Sequence, residues 1–427
     1  MHKSVTPCAG KTVVNETRVG FSSNRANPFV MLSRPDCTET AGEVYGSNLI
    51  YSGNHRECAQ SGELERLRFP QAYSPRDSVD PGRPRTVYAP EAVLSYSCEG
   101  FEGLSRNFHN FIRSYIVRGA WAHKPRPVLL NSWEAAYFNF TEEKLLSMAS
   151  CAKDLGVELF VLDDGWFGER NNTKTSMGDW VCNKEKLPGG LEALSSGIHR
   201  LGMDFGIWVE PEAVSMDSHI FRAHPHWSLS IPGQPNSEGR NQRLMDLCNP
   251  EVTDYLYEAL CRIFSSGVDY VKWDMNRGIS DCYSPFLDKE RQGETGHRYI
   301  LGLYALLDRL TKRFPDILFE SCASGGNRAD LGILCYMPQF WASDNSDALS
   351  RMQIQTNYSY GYPLSVLGCH VSSVPNHQTM RETPISTRYE AASYGLLGYE
   401  LDPRKLSHED LEDIKEQIQH YKKQREC

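Results

Sequence analysis

The chain of 427 residues has no run approaching the 18 apolar residues that a membrane span needs, and its N-terminus, MHKSVTPCAGKTVVN, has no apolar stretch of the signal-peptide kind. A cytoplasmic protein without membrane partners is therefore expected. Basic charge is short too. The 45 Lys and Arg are outnumbered by 54 Asp and Glu, giving a net charge of −9 and a pI near 5.8. That balance argues against an electrostatic grip on nucleic acid and favours a neutral partner. The 13 Cys contain no CxxC pair and no short-period framework, so reduced thiols in an intracellular enzyme are expected rather than a disulfide scaffold. HExxH is missing, as is the Walker glycine–lysine spacing, and neither a zinc-protease motif nor a phosphate loop can be drawn. No internal repeat or low-complexity tract stands out.

Hydrophobic content of 40 % and charged content of 23 % fit a globular chain with a substantial core. The 8 Trp and 21 Tyr supply flat apolar faces of the kind that pack on pyranose rings, although most will be ordinary core residues. Residues 1–120 are rich in Gly, Ser, Pro, Asn and Thr, with short β-prone runs at 29–32, 47–52 and 92–97 separated by turn clusters. They read as a partial antiparallel β-sandwich with a linker, in which helical pattern begins near Gly103.

Residues 121–427 follow another rhythm. Apolar runs recur at 127–133, 159–164, 205–210, 269–274, 317–322, 339–341 and 364–367, with helical patterns between them, notably 251–266 and 296–313. One helix is opened by Thr141, buries Leu145, Met148, Ala149, Ala152 and Leu155, and stops at Gly156. Another, within 407–425, carries the stripe Leu411, Ile414, Ile418 and Tyr421 and suits the last helix of the fold. The alternation predicts a parallel sheet, and its length favours a closed (β/α)8 TIM barrel.

In such barrels the functional groups lie at the C-terminal strand ends. Trp133, Asp163, Asp164, Trp208, Glu210, Lys272, Asp274, Asn276, Cys322 and Asp344 all fall there. Polar groups ending apolar strands are costly to bury unless paired, so a ring of them implies a polar pocket. Two carboxylates on separate strand ends meet the need of glycosidic bond cleavage, one attacking and one moving protons. Asp274, with Lys272 two residues away on the same strand face, is the expected nucleophile. Asp344 is the expected proton donor, with Phe340 and Trp341 as a low-dielectric wall. Asp347 competes for that role but reads better as the cap of a helix starting near Ala348.

Asp163 and Asp164 are adjacent, so only a bend lets both reach one ligand. One ligand contact and one structural pair is nearly as good a reading. The 321–328 turn, SCASGGNR, either lets backbone approach a ligand or simply joins strand to helix. Metal catalysis needs three or more acids to converge. Asp163, Asp164, Glu210 and Asp274 could do so, which makes it a minor alternative to a site with no metal and no cofactor.

With these residues in place, the chain resembles the α-galactosidases of glycoside hydrolase family 36. The likeness runs through nearly the whole sequence in NPFVML, GEVYGSNLIYSGN, RPVLLNSWEAAYFNF, LFVLDDGWFGER, GIWVEPE, VKWDMNR, ESCASGGNRADLG and FWASDNSDA. It implies retention, with Asp274 as nucleophile and Asp344 as acid/base, acting on terminal α-galactosyl groups of raffinose- or melibiose-type oligosaccharides. It further implies galactose recognition by Trp133, Asp163, Asp164, Lys272 and Asn276, by Arg240 of GRNQR, and by Cys322 and Gly325 of the CxxGxxR turn, with Trp208 as a pocket wall. An α-N-acetylgalactosaminidase, a galactosyl transglycosylase or a non-catalytic remnant are the alternatives. Against the family's larger N-terminal sandwich and C-terminal β domain, a shortened form or a fragment is expected. Lost strands would leave an open sheet edge and apolar area, which argues against the tetramer common in the family.

Overall fold

The computed structural model describes residues 11–23, 25–61, 67–68, 71–73 and 89–425. Cys8 and Cys427 lie outside them. The N-terminal part folds into two antiparallel sheets. One orders β2 (Val30–Ser33), β3 (Val44–Ile50) and β7 (Glu91–Ser97). In the other, β1 (Thr12–Thr17), β5 (Leu67–Arg68) and β6 (Gln71–Tyr73) pair with β4 (His55–Ser61). Helix α1 (Gly100–Phe111) follows, extended by one widened π turn over Ile112–Ile116. Leu104, Phe108, Ile112 and Ile116 are all buried at a spacing of four. An α-helix drifts off that spacing, and a wider turn brings the stripe back toward the core.

Eight parallel strands then close into a barrel: β8 (Leu129–Asn131), β9 (Leu159–Leu162), β10 (Asp204–Val209), β13 (Tyr270–Trp273), β14 (Leu318–Ser321), β15 (Gln339–Trp341), β16 (Leu367–Ser372) and β17 (Leu396–Glu400). β17 returns to β8 through Gly398 opposite Leu129. A two-stranded ribbon, β11 (Ala213–Val214) with β12 (Arg243–Leu244), stands in the long connection after β10. The helices are α2 (Trp133–Ala136), α3 (Glu142–Leu155), α4 (Gly190–Arg200), α5 (His219–Ala223), α6 (Pro250–Phe264), α7 (Thr295–Arg313), α8 (Leu331–Leu334), α9 (Ala348–Ser359), α10 (Ile385–Ser393) and α11 (His408–Gln424). Thr141 caps α3 by accepting from the Lys144 N–H at 3.2 Å, and Gly156 ends it in the left-handed region at φ 98°, as the sequence predicts.

Strand periodicity sorts the barrel's residues. Phe160, Leu162, Phe205, Ile207, Val209, Val271, Trp273, Phe319 and Phe340 belong to the main core between strands and helices. Leu129, Leu159, Val161, Tyr270 and Leu318 form a separate apolar cluster with Trp121. Val161, Tyr270 and Leu318 are two residues before Asp163, Lys272 and Glu320, so the barrel interior is apolar at its base and polar at its mouth. Gly206 makes room in that base, because a Cβ there would sit 2.8 Å from the Tyr270 ring and 2.9 Å from Val161.

Two strands differ from expectation. Residues 364–366 form a 3-10 turn behind Pro363, and the strand runs from Leu367 to Ser372. The eighth strand, LLGYE at 396–400, follows directly on α10 and holds a central glycine, so nothing sets it apart in the sequence. The N-terminal part is fastened to the barrel at Asp330, whose carboxylate accepts from Ser22 at 2.5 Å and Ser52 at 2.8 Å while capping α8. Every cysteine among the described residues is free. No described helix is long and apolar enough to cross a membrane.

Candidate active site

Asp274 follows the last residue of β13 and is 7 % exposed. Four N–H donors converge on its carboxylate. Oδ2 accepts from Asn276 Nδ2 at 2.7 Å and Trp208 Nε1 at 3.2 Å, and Oδ1 from the backbone of Met275 at 2.8 Å and of Ser324 at 3.3 Å. Donors on both oxygens fix the orientation of this carboxylate. Trp208 thus bonds the carboxylate directly. It is itself fixed by parallel stacking on Phe167 at 6.3 Å and by Trp166 Nε1, which donates to its carbonyl at 2.9 Å.

Asp344 lies three residues beyond β15, half-buried, with Oδ1 accepting from Trp341 Nε1 at 3.1 Å. Burial, and then the facing charge of Asp274, push its carboxyl up to about 6, against the opposing pull of Lys272 and Arg240. The two acids therefore occupy opposite surroundings within electrostatic reach of each other. Trp341 touches Asp344 through this hydrogen bond. Phe340 does not: the strand's alternation turns it outward, where it meets Tyr358 at 5.3 Å and Tyr362 at 5.6 Å. Asp347 is occupied as the cap of α9, accepting from the Ser350 N–H at 3.1 Å, and pairs with Arg381 at 2.5 Å.

The turn after β14 ties both acids together. Ser324 donates to Asp274, while Gly325 bridges to Ser343. At φ +82° a Cβ on Gly325 would stand 2.6 Å from Ser343 Cα and 2.7 Å from the Asp344 nitrogen, so only glycine allows this approach. Cys322 is buried beside both carboxylates, and burial followed by their charges raises its thiol well above the usual range. Arg240, at φ 55°, donates to Asn276 Oδ1 at 2.7 Å and Ser324 Oγ at 3.2 Å, and Ser324 Oγ donates to Asn276 Oδ1 at 2.8 Å.

Lys272 departs from expectation. Its ammonium pairs at 2.8 Å with Asp163, not with Asp274. Register explains this: Lys272 lies opposite Trp208 on β10, whose indole takes the place beside Asp274, and the longer lysine reaches on to the end of β9. Burial opposes its charge, yet Asp163 holds it well above the ordinary lysine value. Asp163 also accepts from Asn131 Nδ2 at 2.8 Å, and Asn131 Oδ1 accepts from the Trp133 N–H at 2.8 Å. Half-buried Trp133 meets Tyr137 and Phe138 edge to face at 5.1 and 5.3 Å.

The chain bends at Asp164, whose carboxylate takes Arg170 through a fork at 2.9, 3.3 and 2.9 Å. Burial pushes the Asp164 carboxyl up even against that cation. Arg170 is a residue the sequence reading missed. It sits in the same LFVLDDGWFGER run, and an arginine following an acid pair into a loop was the available signal. Asn131, Ser324 and Gln378, whose amide donates to the Asp344 carbonyl at 2.9 Å, carried no such signal. Asp163, Asp164, Glu210 and Asp274 are each engaged by protein donors, and no three His, Cys, Asp or Glu of the described residues gather as metal ligands. His224 and His226, two residues apart, flank Trp227, on which His224 stacks at 3.9 Å.

A closed parallel barrel with Asp274 and Asp344 in contrasting surroundings at its mouth is an arrangement that glycoside hydrolases use. Residues 86–427 match the melibiase family model, and residues 2–78 match the glycosyl hydrolase family 36 N-terminal domain. The chain belongs to the family 36 melibiases. It is 46 % identical to alpha-galactosidase AgaA of Geobacillus stearothermophilus over 95 % of this chain and 56 % of that protein. To the bifunctional alpha-galactosidase/sucrose kinase AgaSK of Mediterraneibacter gnavus it is 44 % identical, over 98 % of this chain and 44 % of that one. The crystal structure of an AgaA variant in complex with raffinose superposes with a TM-score of 0.96 at 45 % identity, covering 98 % of this chain and 59 % of that chain. The chain thus spans about half the length of the curated relatives it matches.

Proposed function

We propose that this chain carries the catalytic barrel of a retaining α-galactosidase that releases terminal α-galactosyl groups from raffinose- and melibiose-type oligosaccharides. The contrast between the two acids supports this reading most directly: four N–H donors orient Asp274, whereas burial and the neighbouring anion keep a proton on Asp344 up to about pH 6. Asp274 attacks the anomeric carbon as the glycosidic C–O bond breaks, and Asp344 passes its proton to the departing oxygen. The resulting ester removes the negative charge of Asp274. Asp344 then loses the repulsion that favoured its protonated form, and as an anion it takes a proton from the water that cleaves the ester.

Asp163, Asp164, Lys272, Asn276 and Arg240 offer charged and amide groups for the sugar hydroxyls, with Trp133 as an apolar edge and Cys322 and Gly325 closing the floor. Asp163 and Asp164 keep free lone pairs beyond their pairs with Lys272 and Arg170, which suits acceptance from a sugar's hydroxyls. Support for galactosides as substrates comes from the relatives, since AgaA variants are seen with raffinose and with stachyose. The division at residue 120 into a β-rich part and a catalytic barrel belongs to this proposal, as does a cytoplasmic location, for which the free thiols speak.

The test is release of p-nitrophenol from its α-galactoside by the purified chain, with the first-formed sugar followed by proton NMR. Expected are turnover, an α-configured initial product, and loss of turnover in Asp274→Ala. No release above the Asp274→Ala background from a folded chain would leave a non-catalytic remnant, and an initial β product would replace retention by inversion.

A further inference from the structure

Glu210 follows the last residue of β10 and has no exposed surface. The Asp274 N–H bonds the Val209 carbonyl at 2.8 Å, and this register brings Glu210 alongside Asp274. Its hydrogen bonds among the described residues come from amides alone, the Asn276 N–H at 2.6 Å and Gln242 Nε2 at 3.1 Å. Glu212, two residues on and equally buried, is built differently: Arg328 pairs with it at 2.8 Å, while Trp273 and Tyr299 each donate at 2.9 Å. A buried carboxylate without a cation in contact and next to another anion would be costly. The charged groups facing Glu210 are Asp274 from the end of β13 and Arg170 from the loop after β9, and Arg170 is already committed to Asp164.

Gln242 is the group that would accept from a protonated Glu210. It is 2 % exposed, and its Oε1 has no hydrogen-bond partner although its other amide end touches Glu210. The two ends of a glutamine amide have nearly the same shape. Turned over, the amide would offer Oε1 to Glu210, which is favourable only if Glu210 carries a proton to donate.

We propose that Glu210 is an uncharged positioning residue for the nucleophile: as a carboxylic acid it donates to Gln242 and accepts from the Asn276 N–H, aiming Asn276 at Asp274 without a second negative charge. This rests on the reading of Asp274 as nucleophile. Burial, followed by the charge of Asp274, pushes the Glu210 carboxyl up to about 8, which agrees with a neutral group at pH 7. Above that pH a second anion appears next to Asp274 and competes with it for the Asn276 side-chain donor.

The experiment uses α-galactosyl fluoride, whose leaving group takes little help from a general acid, so that kcat/KM follows attack by Asp274. Wild type should lose kcat/KM as pH rises through about 8. Glu210→Gln, whose amide donates to Gln242 and accepts from Asn276, should keep kcat/KM within about 3-fold at pH 7 and show no such limb, since it cannot ionise. Glu210→Ala should lose about 100-fold at every pH, the scale of a displaced reacting group. A Glu210→Gln variant that falls as far as Glu210→Ala, or that keeps the limb near pH 8, overturns the proposal. If Glu210→Ala does not fold, judged by circular dichroism, the Glu210→Gln profile decides alone. Wild type inactive on both the fluoride and the p-nitrophenyl galactoside would sink the galactosidase reading instead, a distinguishable result.

Discussion

Replacing Asp274 by Asn should lower the pKa of Asp344, and the structure sets the scale. Asp344 rises from 3.8 to about 6, with burial the largest cause and the Asp274 charge the next. Two unit charges ~6 Å apart at an effective dielectric of ~20 repel by ~2.8 kcal/mol, which is about two pH units at ~1.4 kcal/mol each. Burial is the larger cause of the rise, and Lys272 and Arg240 pull against both, so the charge is expected to contribute at least about one unit. Asp274→Asn should therefore bring Asp344 from about 6 to roughly 5. A carbon-13 NMR titration of carboxyl-labelled aspartate reads this in the inactive variant, and the wild-type alkaline limb of kcat/KM for p-nitrophenyl α-galactoside should fall near pH 6. The sign for stability follows. A carboxyl raised in the fold contributes stability that is full below its unfolded value and is lost as pH rises through the folded one. For wild type that window runs from 3.8 to about 6, and in Asp274→Asn it should narrow to end near 5. A midpoint that stays at 6 or climbs would show that the two acids do not sense each other, and the acid/base assignment would go with it.

Other consequences are open to direct measurement. Asp163→Ala leaves Lys272 buried without its 2.8 Å partner and should destabilise by about 3–5 kcal/mol in urea unfolding. Asp163→Ala with Lys272→Met should recover much of that stability without recovering activity. Gly325→Ala drives a Cβ to 2.6 Å from Ser343 Cα and should lower kcat about 100-fold by parting the two acids, with KM changed far less. Ser407→Ala removes the hydroxyl that caps α11 at 3.1 Å from the Asp410 N–H. It should cost about 1 kcal/mol in thermal unfolding and leave kcat/KM unchanged.

Much of the barrel could be read in the chain itself, because its signals are local. Thr141 and Gly156 bound α3, the stripe through Ile414, Ile418 and Tyr421 marks α11, and the runs ending at Asp163, Glu210 and Asp274 carry strand periodicity with polar ends. The eighth strand was not legible, since LLGYE at 396–400 is short and broken by a central glycine. Asp347 as a helix cap was legible too, for a cap depends on the residues next to it in sequence.

What only the tertiary structure decided is which side chain meets which across the mouth. Sequence proximity offered Lys272 to Asp274, but side chains two apart on a strand share a face without needing to touch, and the barrel's register puts Asp163 before the lysine and Trp208 before the nucleophile. Arg170 on Asp164, Ser324 on Asp274 and Gly325 against Ser343 are likewise products of loops from different strands converging. The sequence by itself determined the elements and the ring of polar strand ends, because hydrophobic period and capping act over a few residues. Charge pairing and proton affinity depend on distance and burial, and these exist only once the barrel has closed.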